Sequence, residues 1–97
     1  MFRIKARIYL YQYNARKTAF KSGYRPLFNL DNKIKISGKI DLIDADSHYP
    51  GTQGEVFITF LNLNELKVNS VFCFDEGSKI LGEGEVLEII ETDSTDF

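Results

Sequence analysis

Residues 2–10 alternate without a break. Phe2, Ile4, Ala6, Ile8 and Leu10 are apolar, and Arg3, Lys5, Arg7 and Tyr9 between them are charged or amphipathic. A period of two sends successive side chains to opposite faces, so the segment predicts a strand with one wet face. Residues 12–23 lose the period and read as a long loop. Residues 24–30 predict a short second strand, in which Pro26 marks an edge position or a bulge because proline cannot donate to a ladder. Asp31 and Asn32 read as a turn. Ile34, Ile36, Ile40 and Leu42 then fall on even positions, against Lys33, Lys35, Lys39 and Asp41 on odd ones. That is a third strand, with Gly38 as a bulge or a point of close approach.

A second loop covers residues 44–54, where Pro50-Gly51 and Gly54 supply turn residues. Residues 55–61 predict a fourth strand and residues 62–70 a connection. Residues 71–75 predict a fifth strand, 76–79 a tight turn, and 80–90 a last strand whose Gly82 and Gly84 relieve curvature. Six short strands, with no helical period in any long window, indicate an antiparallel barrel or sandwich. Residues 92–97 read as a flexible acidic tail, and residues 1–91 as one domain.

Composition narrows the chemistry. The 97 residues suffice for one modest core, and eight Phe and five Tyr without Trp suit strands. The one cysteine, Cys73, has no partner for an internal disulfide. Its setting, Val71-Phe72-Cys73-Phe74, reads as a buried thiol. Charges at Arg3, Lys5 and Arg7 break up any leader-like apolar core, and no apolar run approaches the roughly 20 residues that span a bilayer, so a cytoplasmic protein without membrane contact is expected. There is no G-x-x-x-x-G-K-[ST] loop for a nucleotide, and a single histidine removes most His-based nucleophilic schemes. Asp44, Asp46 and His48 have ligand-type side chains on alternate positions. With no second cluster to complete a site, they read as a solvated loop, and no metal or other cofactor is expected. The chain is therefore expected not to be an enzyme.

Charge is divided unevenly. Residues 1–40 carry ten Lys or Arg against one acid, and residues 41–97 carry two Lys against thirteen acids, leaving a net charge of −2. Much of this asymmetry is explained if the first and last strands are neighbours, so that Arg3, Lys5 and Arg7 face Glu83, Glu85, Glu88 and Glu91 across the ladder. Arg16, Lys17, Lys21, Arg25, Lys33 and Lys35 are left without evident acidic partners. Tyr11, Tyr13 and Tyr24 are interleaved with them, and a Lys/Arg and Tyr surface suits a phosphate backbone. An acidic protein surface fits the same residues.

The order of these features resembles a known family. Phe20-Lys21-Ser22-Gly23-Tyr24-Arg25-Pro26-Leu27-Phe28 resembles the F-x-x-G-Y-R-P-Q-F segment in the C-terminal barrel (domain III) of elongation factor Tu. Ala6-Arg7-Ile8-Tyr9-Leu10 resembles that barrel's opening strand. Ser37-Gly38-Lys39-Ile40-Asp41-Leu42 is similar to T-G-x-I-x-L, and Tyr49-Pro50-Gly51 to its M-P-G turn. Phe74-Asp75-Glu76-Gly77 through Leu81-Gly82-Glu83-Gly84-Glu85-Val86 is similar to the closing hairpin, and Glu88 to Glu91 end it. The resemblance runs collinearly over about residues 2–91, without the GTPase that accompanies the barrel in that family.

What it implies is a single six-stranded antiparallel Greek-key β-barrel that contacts tRNA and translation proteins. The expectation is a binding module for structured RNA (tRNA) or a translation-machinery protein, with Arg16, Lys17, Lys21, Tyr24, Arg25, Lys33 and Lys35 as the contact residues. The alternative is a neutralising module, immunity- or antitoxin-like, that mimics a factor domain and binds a toxin-like protein.

Overall fold

A computed structural model of the chain describes residues 2–13, 17–30, 34–61, 63 and 66–91. Among these residues there are six strands and no helix: β1 (Phe2–Leu10), β2 (Leu27–Leu30), β3 (Ile34–Leu42), β4 (Gln53–Phe60), β5 (Val71–Glu76) and β6 (Lys79–Glu91). They close into an antiparallel barrel in the order β1-β4-β3-β2-β5-β6, with β6 returning to β1. β2, β3 and β4 form a meander, and β1 lies beside β4, which is a Greek-key arrangement. The expected turn at residues 31–32 and the acidic tail at 92–97 lie outside the described residues. No helix among the described residues is long and apolar enough to cross a membrane.

The alternation seen in the sequence sets the two faces. Every even residue of β1 is buried and every odd one is half-buried. Val56, Ile58 and Phe60 of β4, Phe28 and Leu30 of β2, and Phe72 and Phe74 of β5 fill the same interior. Phe28 sits among three other rings, with centroids 5.3 Å from Phe60, 5.6 Å from Phe72 and 6.0 Å from Phe74. Offset and edge-on rings at these distances add to area burial. Gly38 is a point of close approach: a β-carbon there would lie 2.9 Å from the rings of both Phe28 and Phe60. The ladder with β2 ends at Ser37 and the ladder with β4 begins at Gly38, and neither has a register shift.

Two expectations change and a third is extended. β2 begins at Leu27 rather than at residue 24, and it is not an edge, since it pairs with both β3 and β5. Pro26, with no N–H to give, stands just before the strand, and Tyr24 makes only an isolated bridge to Ile40. Cys73 is half-buried rather than packed inside, because it occupies the outward position between inward Phe72 and Phe74. Gly82 and Gly84 have a packing role that the sequence reading did not include. They lie opposite Phe74 and Phe72 and leave room for those rings. β6 also carries extra residues, with its register slipping twice against β1 and once against β5, and such bulges bend a strand.

Candidate nucleic-acid interface

The cationic segment after the first strand is not a free loop. Phe20 and His48 exchange backbone hydrogen bonds, with the Phe20 amide 3.0 Å from the His48 carbonyl and the His48 amide 2.8 Å from that of Phe20. Gly23, in the left-handed region at φ 97°, turns the chain so that its amide reaches the Ile40 carbonyl at 2.8 Å. The Ile40 amide donates to the Tyr24 carbonyl, also at 2.8 Å, and the Leu42 amide donates to Ser22 Oγ at 2.8 Å. Residues 20–24 are thereby clamped onto β3 and onto the loop before β4.

The clamp has an aromatic core. The Phe20 ring stacks on Tyr24 at 4.7 Å and on His48 at 5.3 Å. His48 is buried, not part of a solvated loop, and its Nε2–H donates to the Thr52 carbonyl at 3.0 Å. Burial pushes its pKa below the usual histidine value, opposed in part by that backbone bond. Asp44 and Asp46 remain exposed, and no three ligand-type groups converge anywhere among the described residues.

The structure sorts the seven expected contact residues into three groups. Arg16 and Lys33 lie outside the described residues. Lys17, Lys21 and Arg25 are exposed on the clamped segment and its flanks, and they form no ion pair among the described residues. Tyr24 and Lys35 are already engaged. Tyr24 is half-buried against Phe20, and its hydroxyl lies 3.3 Å from Glu76 Oε1. Lys35 Nζ lies 3.2 Å from Asp75 Oδ2. Sequence reading missed Lys35's partner because the two residues are 40 positions apart and meet only through the β3–β2–β5 ladder.

Of the interleaved tyrosines, Tyr13 is exposed, whereas Tyr11 donates its hydroxyl to Glu83 Oε1 at 2.7 Å. That bond pushes the Tyr11 pKa up to about 12. Tyr49, not among the expected residues, is 61% exposed next to His48. Its position before Pro50-Gly51 gave the only sequence signal, that of a turn.

The strands beside the clamp carry cancelled charge. Register places Arg3, Lys5 and Arg7 opposite Glu91, Glu88 and Glu85. Arg7 pairs with Glu85 at 3.5 Å, Lys5 turns to Glu55 on β4 at 3.2 Å, and the Arg3 guanidinium lies 4.5 Å over the Phe57 ring. Among the described residues, the basic half of the chain is thus largely paired or covered, except along residues 17–25. No protein-family model matches the chain.

Proposed function

We propose that this protein is a non-enzymatic binding module, built like the C-terminal barrel of elongation factor Tu, that holds structured RNA of the tRNA kind through residues 17–25. One observation carries the reading: Lys17, Lys21 and Arg25 are exposed cations without ion-pair partners among the described residues, on a segment fixed by the Phe20–His48 and Tyr24–Ile40 bridges. A clamped cationic segment meets a phosphate backbone with little ordering cost. Exposed Tyr13 and Tyr49 suit stacking on unpaired bases. The overall charge of −2 keeps such binding local rather than general. A partner of this kind places the protein in the cytoplasm.

The test is titration of tRNA at about 50 and about 200 mM salt. Binding at low salt that weakens steeply with salt supports the reading. Replacing Lys17, Lys21 and Arg25 by Ala should flatten the slope of log K against log salt by about 0.7–0.9 for each phosphate contact removed. No binding at low salt, or binding indifferent to the triple substitution, would overturn it. An acidic translation protein fits the same three cations, and competition between it and tRNA separates the two. The second reading, a neutralising module for a toxin-like protein, draws on the anionic outer face of β5 and β6, where Glu83 and Glu85 stand beside exposed Val71.

A further inference from the structure

A closed barrel has no free strand edge, so a partner cannot extend its sheet and must meet the outer face instead. Around β1 that face is balanced charge against charge. Around β5 it is not. The outward residues of β5 are Val71, Cys73 and Asp75. Val71 is 75% exposed, Cys73 is half-buried, and Asp75 is buried. The ladder widens this strip on both sides: Asp75 lies between Leu27 and Ile80, and Cys73 between Asn29 and Glu83. Leu27 and Ile80 are both aliphatic and partly exposed. An open groove of about 680 Å³ runs from Val71 and Cys73 past Glu83 and Glu85 to Tyr9 and Gln53.

Asp75 supplies an independent observation. Its side chain is 3% exposed, and Oδ2 meets the half-exposed Lys35 Nζ, so the carboxylate lies on the outer side of the sheet. Oδ1 is buried and has no hydrogen-bond partner among the described residues. A buried carboxylate oxygen without a donor is costly, and a donor brought by a partner repairs that cost. The charge of the surface states what kind of partner. Among the described residues, Asp75 and Glu85 pair only with Lys35 and Arg7, and Glu83 is held by the neutral Tyr11 hydroxyl rather than by a cation.

We propose that the outer face of β5 and the groove beside it dock an extended segment of another protein in which basic and aliphatic side chains alternate. Its Arg or Lys side chains go to Glu83 and Asp75, and its aliphatic side chains cover Val71, Leu27 and Ile80. The same carboxylates repel a phosphate backbone, so this surface differs in chemistry from the cationic segment at 17–25 and stands whether or not that segment binds RNA. Cys73, the one thiol of the chain, lies in the groove and reports its occupancy.

The probe is a fluorescent peptide of alternating Arg and Val, about ten residues long, titrated into the full chain, with an alternating Glu and Val peptide as control. The Arg–Val peptide should bind, release with salt, and slow alkylation of Cys73 by iodoacetamide. Glu83→Gln with Glu85→Gln should weaken it at least about tenfold, and Val71→Ser should weaken it as well. Lys17→Ala with Lys21→Ala should leave it unchanged. All five substituted sites are exposed or half-exposed, so folding is preserved and checked by thermal melting. Equal binding of the Glu–Val peptide, undiminished binding to the double Gln variant, or unprotected Cys73 would overturn the proposal. So would tRNA protecting Cys73, or protection that appears with protein concentration alone, which would assign the face to a second copy of this chain.

Discussion

The ring of Phe72 occupies the space that a side chain on Gly84 would need: a β-carbon there would lie 2.5 Å from Phe72 Cζ and 2.9 Å from the Arg7 carbonyl oxygen. Gly82 stands in the same relation to Phe74, and also to the Tyr9 carbonyl oxygen. A large ring over a glycine on the next strand fills a small barrel without splaying its backbones. Gly84→Ala should therefore destabilise the fold by about 1–3 kcal/mol. Gly82→Ala should cost more, because the Tyr9 carbonyl oxygen stands nearer to its β-carbon than the Arg7 oxygen does to that of Gly84, and backbone cannot rotate away as a ring can. Urea unfolding of the three proteins checks the order. Equal stabilities would show that the ring packing is slack.

Acid should loosen the clamp through His48. Its native pKa is depressed by burial, so between that value and the unfolded value of 6.5 the unfolded chain binds more protons. The histidine's contribution is therefore fully present above about pH 6.5 and is lost as pH falls below it. Unfolding free energy measured from pH 8 to 5 should fall on the acid side. His48→Gln, which keeps an amide N–H for the Thr52 carbonyl, should have a flatter profile in that window, whatever its absolute stability.

The Lys35–Asp75 pair and the Lys39–Asp41 pair should respond differently to loss of the lysine. Removing Lys35 leaves a buried carboxylate with both oxygens unsatisfied, at a cost of about 2 kcal/mol or more. Lys39 and Asp41, 3.6 Å apart, are both partly exposed, and Lys39→Met should cost about 1 kcal/mol at most. Lys35→Met combined with Asp75→Leu should regain much of the first loss, since an apolar pair replaces a buried charge. Denaturation of the single and double variants measures this directly.

The barrel was legible because a half-wet strand writes its own period: β1 reads the same in the sequence as in its burial. The limits of β2 were not legible. Pro26 announces missing pairing, but only the fold decides whether that marks an edge or the residue before an internal strand. Cys73 misled for a related reason. A four-residue apolar run reads as buried on both sides, whereas Val71 and Cys73 occupy the outer face. In the candidate site, charge alone singled out Lys17, Lys21 and Arg25, which are exposed. The engagement of Lys35 and Tyr24 was not legible, because ion pairs and stacks between distant strands leave no local pattern. Buried His48 was hidden for the same reason, among polar neighbours that stay exposed.

Tyr11 offers a spectroscopic check on the β1–β6 junction. Its ionisation at about 12 depends first on the bond to Glu83. A phenol whose pKa is raised on folding contributes stability below pH 10 that is lost as pH climbs through 12. Ultraviolet titration of tyrosinate should show a late step, and Glu83→Gln should pull that step down toward 10.0. A late step unmoved by the substitution would place its cause elsewhere.

The pairing of β1 with β6 also orders events during synthesis. β1 finds its β4 partner only once residues 53–60 exist, and its other flank stays open until residues 82–91 arrive. A chain leaving the ribosome therefore carries an unpaired, strongly β-forming edge until β6 has emerged. Closure by such sequence-distant strands belongs to the slower class of folding reactions. The alternating Arg and Lys of β1, later neutralised in the finished barrel, meanwhile keep that waiting edge charged and poorly suited to pairing with another nascent chain.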